Sequence, residues 1–513
     1  LTDWLHSQGI DHVFAVAGAD VACLLESVRA DGRIRLVPAT SEFVAALMAE
    51  GFARRSGRPA AVVVCGGPGE AALLPSALHG GIGSVPVLWI MGMVHASAED
   101  TGAPAFSFSA AIAGIAGICC AEATSKADVP RSLRTAGAAL LSGRPAVLRI
   151  LDEIQRLEFE PIVGEPELPE AIQPASMESP GLRTILAVGT GALPWTGKIR
   201  QLAAMHCWPV ITDMTSRGVV PEASDLSLGH LGFLPSPAAL AATDSQGLLV
   251  ADRVVALGVC DEFRRTLTSR GAVVQEVGKG AVGAWLERVL AQGSDGEADE
   301  AWLDGLRQCR PHREVHPHGG GLCHALLVRE VSAFFGQRAV HVADAGIFHQ
   351  AVALMVAAGE PRTVLATEGL SLMGWSLGAA QGAAMADPDV PVVAWLGDGS
   401  FLMHGLALAT AARDKLRVIH VIAENGVLGS PRSRHAVGPE DPALLPAVDL
   451  AGVAAACGVA VMKVSDPAEL RKVLPRLRDT EGPVVLLATV GTSDPCVRGW
   501  ATGYAFLDRP RSV

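Results

Sequence analysis

Val392-Val393-Ala394-Trp395-Leu396-Gly397-Asp398-Gly399-Ser400 and Val418-Ile419-His420-Val421-Ile422-Ala423-Glu424-Asn425 are two apolar runs, each closed by small or polar residues. Twenty-seven positions separate Asp398 from Asn425. Apolar runs of this length without polar alternation read as strands buried on both faces of a parallel sheet, here with a helical stretch between them. Such a unit brings a carboxylate and an amide oxygen to the carboxyl ends of two strands, where open α/β sheets collect ligands. Two hard oxygens beside small-residue turns suit a Mg²⁺ that phosphate oxygens also hold. The pattern predicts a diphosphate–metal site on a doubly wound α/β fold.

The rest of the chain agrees with a large α/β protein. Its 513 residues are 50% apolar, enough core for two to four domains. A formal net charge of −12, without any block of Lys and Arg, argues against nucleic-acid and anionic-membrane partners. No apolar stretch reaches the length of a membrane span without an interrupting Gly, Pro or charge. The ten cysteines are scattered, Cys119-Cys120 being the only close pair, and there is no Cys-x-x-Cys. Free thiols in a reducing cytoplasm are expected. Leu1-Thr2-Asp3-Trp4-Leu5-His6 reads as an amphipathic first helix that lacks its beginning, and not as a signal peptide.

Two Pro-rich polar stretches, Glu160 to Gly181 and about Gln292 to Gly321, mark seams, the second holding a short helix around Trp302 to Arg310. They predict three blocks, residues 1–160, 181–291 and 319–513. The first and third echo each other. Gly143-Arg144-Pro145-Ala146-Val147-Leu148-Arg149-Ile150 parallels Gly482-Pro483-Val484-Val485-Leu486-Leu487-Ala488, and Ala60 to Gly69 parallels Val392 to Gly399. In the middle block, Gly189-Thr190-Gly191 lacks the third glycine of a dinucleotide fingerprint and is expected to be a structural turn.

Three segments together resemble the thiamine diphosphate (ThDP) enzymes. Gly397-Asp398-Gly399-Ser400 with Glu424-Asn425 resembles that family's Gly-Asp-Gly to Asn-Asn signature, with Glu424 in place of the first Asn. The resemblance implies Asp398, Asn425 and the Val427 carbonyl as Mg²⁺ ligands, with Gly397, Gly399, Ser400 and Val427 beside the diphosphate. Ser41-Glu42-Phe43 to Arg54, after the apolar run Ile34 to Pro38, resembles the helix carrying the family's essential glutamate. Glu42 would hydrogen-bond N1′ of the aminopyrimidine and drive the 4′-amine toward the imino form that deprotonates thiazolium C2. Apolar neighbours such as Phe43 and Val44 favour the protonated carboxyl that this role needs. Glu368-Gly369-Leu370-Ser371-Leu372-Met373-Gly374 resembles the segment that holds the aminopyrimidine. Backbone groups of Ser371 and Met373 would bond the ring edge while the polarizable Met373 side chain wedges beneath the cofactor. Asp344-Ala345-Gly346 resembles the diphosphate turn, although Ile347-Phe348 replaces the usual polar pair unless His349 and Gln350 take that role.

Within the family the acetolactate synthases look most similar, with Asp213 to Gly218 and Leu226 to Gly232 reading like their central domain. The resemblance implies three doubly wound parallel-sheet domains (pyrimidine-binding, central, diphosphate-binding), with a central domain that carries FAD only in some members; nothing in this sequence supports FAD. It also implies at least a homodimer, or a homotetramer, in which Glu42 of one subunit meets the diphosphate site of another. The reaction implied is decarboxylation of a 2-oxo acid and carboligation of the enamine to a second carbonyl. Simple decarboxylases of the family carry an acid after an N-terminal Pro-Gly, a His-His pair and a later Glu. Here those places hold Ala17-Gly18-Ala19, no His-His and Pro431, a site poor in proton donors that favours ligation. Ala105-Phe106-Ser107 stands where acetolactate synthases have Ala-Phe-Gln, and Pro68-Gly69-Glu70-Ala71 replaces Pro-Gly-Ala-Thr. His95, Phe106, Ser107 and Arg432 are candidates for the substrate side, with His404 expected to open the helix after the metal turn and Arg434 and His435 in the loop after Asn425; an Arg there suits a carboxylate. The tail Arg498 to Phe506 either folds over the active-site mouth or packs on the surface. Two alternatives remain open: a non-ligating 2-oxo acid decarboxylase that releases aldehyde, and a cofactor-binding homologue without catalysis.

Overall fold

The computed structural model describes residues 1–94, 114, 117–159, 183–232, 235–236, 239, 242–243, 249–293, 299–308, 321–367, 369–429 and 441–491. Its apolar runs form three sheets whose strands pair in parallel. The first contains β1 (His12–Ala15), β2 (Arg35–Pro38), β3 (Ala60–Val64), β4 (Val87–Met93), β5 (Cys119–Ala123) and β6 (Ala146–Leu151), in the order β2-β1-β3-β4-β6-β5. The second contains β7 (Thr184–Val188), β8 (Val210–Thr212), β9 (Ser227–His230), β10 (Arg253–Leu257) and β11 (Val274–Val277), in the order β11-β10-β7-β8-β9. The third contains β12 (Val340–Ala343), β13 (Val364–Ala366), β14 (Val392–Gly397), β15 (Val418–Glu424), β16 (Ala460–Val464) and β17 (Val484–Thr489), in the order β13-β12-β14-β15-β17-β16.

The first and third orders are the same once strands are renumbered from β12. The two sequence echoes fall on equivalent strands, β3 with β14 and β6 with β17. Central strands such as β3 are buried at every position because helices cover both faces, which is why they read as unbroken apolar runs. In each six-stranded sheet the chain reverses direction of growth beside its first strand, between β1 and β3 and between β12 and β14. Those two switch points open crevices at the strands' carboxyl ends. In the second sheet, Cβ atoms added at Gly189 and Gly191 would lie 2.6 Å and 2.8 Å from the Gly258 carbonyl oxygen, a close backbone contact that accounts for both glycines.

The chain forms two compact units: Leu1–Glu170 with Thr367–Asp389 and His404–Val418, and Ala171–Ala366 with Val390–Met403 and Ile419–Val513. In the first unit the helix Glu42–Ser56 packs against the helix Trp375–Ala386 with backbones in contact. A Cβ on Gly382 would come within 1.8 Å of the Met48 carbonyl oxygen, and one on Gly51 within 2.0 Å of the Ala379 oxygen. The run Gly378-Ala379-Ala380-Gln381-Gly382-Ala383-Ala384 supplies the small residues that this approach needs. Among the described residues no helix is long and apolar enough to cross a membrane, and eight of the chain's ten cysteines, those described, are free.

Candidate functional site

In the second unit the switch point between β12 and β14 gathers the residues of the expected metal turn. Asp398 is the first residue of the helix Asp398–His404 and is buried, 5% exposed. Its Oδ1 accepts the Gly399 N–H at 2.9 Å, and its Oδ2 accepts those of Asn425 at 2.9 Å and Gly426 at 2.7 Å. Three backbone donors thus tie the ends of β14 and β15 together through one carboxylate and aim it. Asn425 Oδ1 accepts the Val427 N–H at 3.0 Å. Val427 bridges Leu444, but the ladder bonds run from Leu428 to Ala443 and from Leu445 to Gly426, so they flank Val427 and leave its own carbonyl out of the ladder.

The donor set fits a small hard cation with a diphosphate. One carboxylate, one amide oxygen and one main-chain carbonyl are oxygen ligands of the kind Mg²⁺ takes alongside phosphates. Cβ atoms added at Gly346, Gly397 and Gly426 would meet nothing within 4 Å, so the three turns leave open space above their backbones. Gly346, at φ +111°, caps the helix Ile347–Met355, an end at which helix N–H groups favour an anion. Among the described residues no group of three or more His, Cys, Asp or Glu is arranged around a metal position.

Two further side chains at these turns point into the protein. Ser400 is 1% exposed and its hydroxyl donates to Asp344 Oδ1 at 2.8 Å, which locks the β12 and β14 turns to each other. Asp344, itself fully buried, had no signal beyond its place before Gly346. His349 lies inward on the Ile347–Met355 helix, and burial pushes its pKa down to about 4. That burial favours its uncharged imidazole form. Glu424 closes β15, half-buried.

In the first unit Glu42 is the first residue of its helix, half-buried, behind the N-cap Ser41, whose Oγ accepts the Val44 N–H at 3.3 Å. The β1/β3 switch point lies beside it. There the Asp20 carboxylate accepts the Gly66 N–H at 2.7 Å, and the Cys65 thiol hydrogen-bonds Asp20. Burial, the Asp20 bond and the negative charges of Asp20 and Glu42 push the Cys65 thiol up to about 12. Cys65 and Asp20 therefore share the electrostatic surroundings of Glu42. Neither carried a recognisable sequence motif, because strand order alone brings the turns after β1 and β3 together.

The same unit holds the turn Gly369–Gly374. Ser371 adopts φ +52°, and Gly374 caps the helix Trp375–Ala386 at φ +81°. A Cβ on Gly374 would lie 2.4 Å from His404 Cδ2, and the His404 ring is 4.5 Å from that of Phe43. The neighbour of Glu42 thus reaches the residue after Met373 through one imidazole. His404 closes the helix Asp398–His404, whereas the sequence placed it at a helix start, because the helix begins at Asp398 itself. His95, Phe106, Ser107, Pro431, Arg432, Arg434, His435 and the tail Arg498 to Phe506 lie outside the described residues.

Comparison with known proteins gives a consistent picture. Residues 1–111 match the thiamine pyrophosphate enzyme N-terminal TPP binding domain, and residues 344–488 match the thiamine pyrophosphate enzyme C-terminal TPP binding domain. The large subunit of acetolactate synthase isozyme 1 of Escherichia coli (strain K12) is 25% identical over 95% of this chain and 92% of its own length. An acetolactate synthase of Mycobacterium bovis is 28% identical over 83% of this chain and 76% of its own. Acetolactate synthase 1, chloroplastic, of Nicotiana tabacum is 25% identical over 99% of this chain and 84% of its own.

Proposed function

We propose, for a chain that belongs to the thiamine diphosphate-dependent, acetolactate synthase-like enzymes, that it decarboxylates a 2-oxo acid and joins the resulting two-electron donor to a second carbonyl. The observation that carries this reading is the buried Asp398 carboxylate, aimed by three backbone N–H groups beside Asn425 and the open turns of Gly346, Gly397 and Gly426. When bound, ThDP supplies a nucleophilic carbon and a sink for the electrons that CO₂ leaves behind. Asp398, Asn425 and the Val427 carbonyl would hold Mg²⁺. Backbone N–H groups at Gly346 and Ser400 would meet the diphosphate, with Gly397 and Gly399 leaving room beside it. Ser371 and Met373 would present main-chain groups to the aminopyrimidine, with the Met373 side chain beneath it, and Glu42 would hold a proton at N1′. We assign this work to a homodimer or homotetramer of three-domain subunits (1–160, 181–291, 319–513) in a reducing cytoplasm, without FAD.

A second reading has one observation in its favour. Asp20 places a carboxylate at the β1/β3 switch point, within reach of the charge of Glu42 through Cys65, and an acid there could protonate the donor and release aldehyde. Incubation with pyruvate, ThDP and Mg²⁺, followed by separation of acetohydroxy acid or acyloin from acetaldehyde, decides between the two. Ligation products, abolished in Glu42→Gln, are expected. Cofactor binding without CO₂ release across a panel of 2-oxo acids would defeat both readings and leave a non-catalytic homologue.

A further inference from the structure

We propose that Glu50, His79 and Thr367 form a buried positioning relay that holds the Gly369–Gly374 turn in its ligand-receiving shape; the inference rests on the ThDP reading above. Three of the six residues of this turn adopt positive φ: Gly369 (+67°), Ser371 (+52°) and Gly374 (+81°). The two glycines adopt it freely, but at Ser371 left-handed backbone persists only where the surroundings over-determine it. The restraint comes from below. The Leu372 N–H donates to Thr367 Oγ1 at 2.8 Å, and Thr367 Oγ1 lies 3.2 Å from His79 Nε2. On the other side of the ring, His79 Nδ1 faces the Glu50 carboxylate at 2.9 Å, so this nitrogen carries a proton and donates. Arg54 Nε donates to Glu50 Oε1 at 2.7 Å.

All four side chains are buried: His79 and Thr367 are 0% exposed, Glu50 1% and Arg54 5%. Trp375, the first residue of the following helix, is clasped by the same group. The Arg54 guanidinium lies 5.8 Å from its ring centroid, and the His79 ring meets it edge-on at 5.7 Å. A buried carboxylate, guanidinium and imidazole are costly to desolvate, and apolar residues would fill the volume more cheaply. What the polar set adds is direction. Only an acceptor at position 367 satisfies the Leu372 N–H, and only a ring held from both nitrogens keeps that acceptor in place. Glu50 stands on the same helix as Glu42, about two turns further on. One rigid helix therefore sets the carboxyl of Glu42 at its start and, through the relay, the backbone between Ser371 and Met373.

Thr367→Val, which removes the acceptor at nearly constant volume, and Thr367→Ser, which keeps it, test the relay in the full chain. In cofactor-free protein, hydrogen exchange at the Leu372 amide is expected to accelerate at least about tenfold in Thr367→Val and to return to the parent rate in Thr367→Ser. The dissociation constant for ThDP in saturating Mg²⁺, measured by calorimetry, should rise by about tenfold in Thr367→Val and recover in Thr367→Ser. His79→Gln carries the same two expectations if Thr367→Val does not fold. Faster exchange with unchanged ThDP affinity would overturn the relay and leave the ThDP reading standing. Parent protein that binds no ThDP would remove both.

Discussion

Replacing Asp398 with Asn is the sharpest perturbation of the proposed metal turn. The two side chains have nearly the same shape, so the change tests chemistry and not packing. The carboxylate accepts three backbone N–H groups, two on Oδ2 and one on Oδ1. An Asn amide offers one oxygen. Its best placement keeps that oxygen toward Asn425 and Gly426 and turns the NH₂ toward the Gly399 N–H, donor against donor. One N–H, at a residue buried in the protein, is left unsatisfied, a loss of about 1–3 kcal/mol. The two retained bonds also lose the assistance of a full charge. The expected result is a lower urea midpoint for Asp398→Asn in cofactor-free protein with chelator present, followed by circular dichroism. Mg²⁺-dependent ThDP affinity should fall by a further tenfold or more, because a neutral amide replaces the single charged ligand. An Asn variant with the parent's urea midpoint would refute the three-donor account. One that keeps Mg²⁺-dependent ThDP binding would refute the metal assignment.

Other outcomes follow from the same geometry. Mixed dimers reassembled from Glu42→Gln and Asp398→Asn chains, each inactive alone, should recover about one quarter of parent activity if Glu42 serves a partner's diphosphate site, since half the dimers are mixed and each has one intact site; no recovery counts against the cross-subunit arrangement. Gly382→Ala, whose Cβ would come within 1.8 Å of the Met48 oxygen, should destabilise the protein by at least about 1–3 kcal/mol in urea titrations, and an unchanged midpoint would mean the crossing is looser than described. Burial alone would raise the Glu50 carboxyl, but His79 and Arg54, by charge and hydrogen bond, hold it at about 2. Because this folded value lies below the ordinary carboxyl value, its contribution is complete above about pH 4.5 and is lost as pH falls toward 2. Glu50→Gln should flatten the acid limb of stability against pH within that window, and an identical limb in both proteins would contradict the ion pair.

Much of this molecule was legible in its sequence for a simple reason. Strands buried on both faces must be apolar throughout, so β3, β14 and β15 announce themselves, and the small polar residues that follow them mark the carboxyl ends where ligands sit. The interval between Asp398 and Asn425 is one strand–helix–strand step, which is why it placed both residues on neighbouring turns. The echo between the first and third blocks translated into one strand order used twice. Local signals stopped there. His404 was put at the wrong end of its helix because nothing in sequence distinguishes a turn that precedes a helix from one that begins it. His349 reads as a polar residue near a diphosphate turn, and only its burial reveals an uncharged ring.

The sequence by itself therefore determined the α/β class and the strand-end turns that carry Asp398 and Asn425, since these depend on patterns within a few dozen positions, whereas Glu42 stood out only through its segment's resemblance to a known family. Tertiary structure alone decided the contacts whose partners are far apart along the chain. These include the Ser400 bond to Asp344, the Asp20–Cys65 pair beside Glu42, the glycine-lined helix crossing at Gly51 and Gly382, and the line from Glu50 through His79 and Thr367 to Leu372. Such contacts form where sheets and helices bring backbone within reach, and side-chain polarity along the sequence carries no record of that distance.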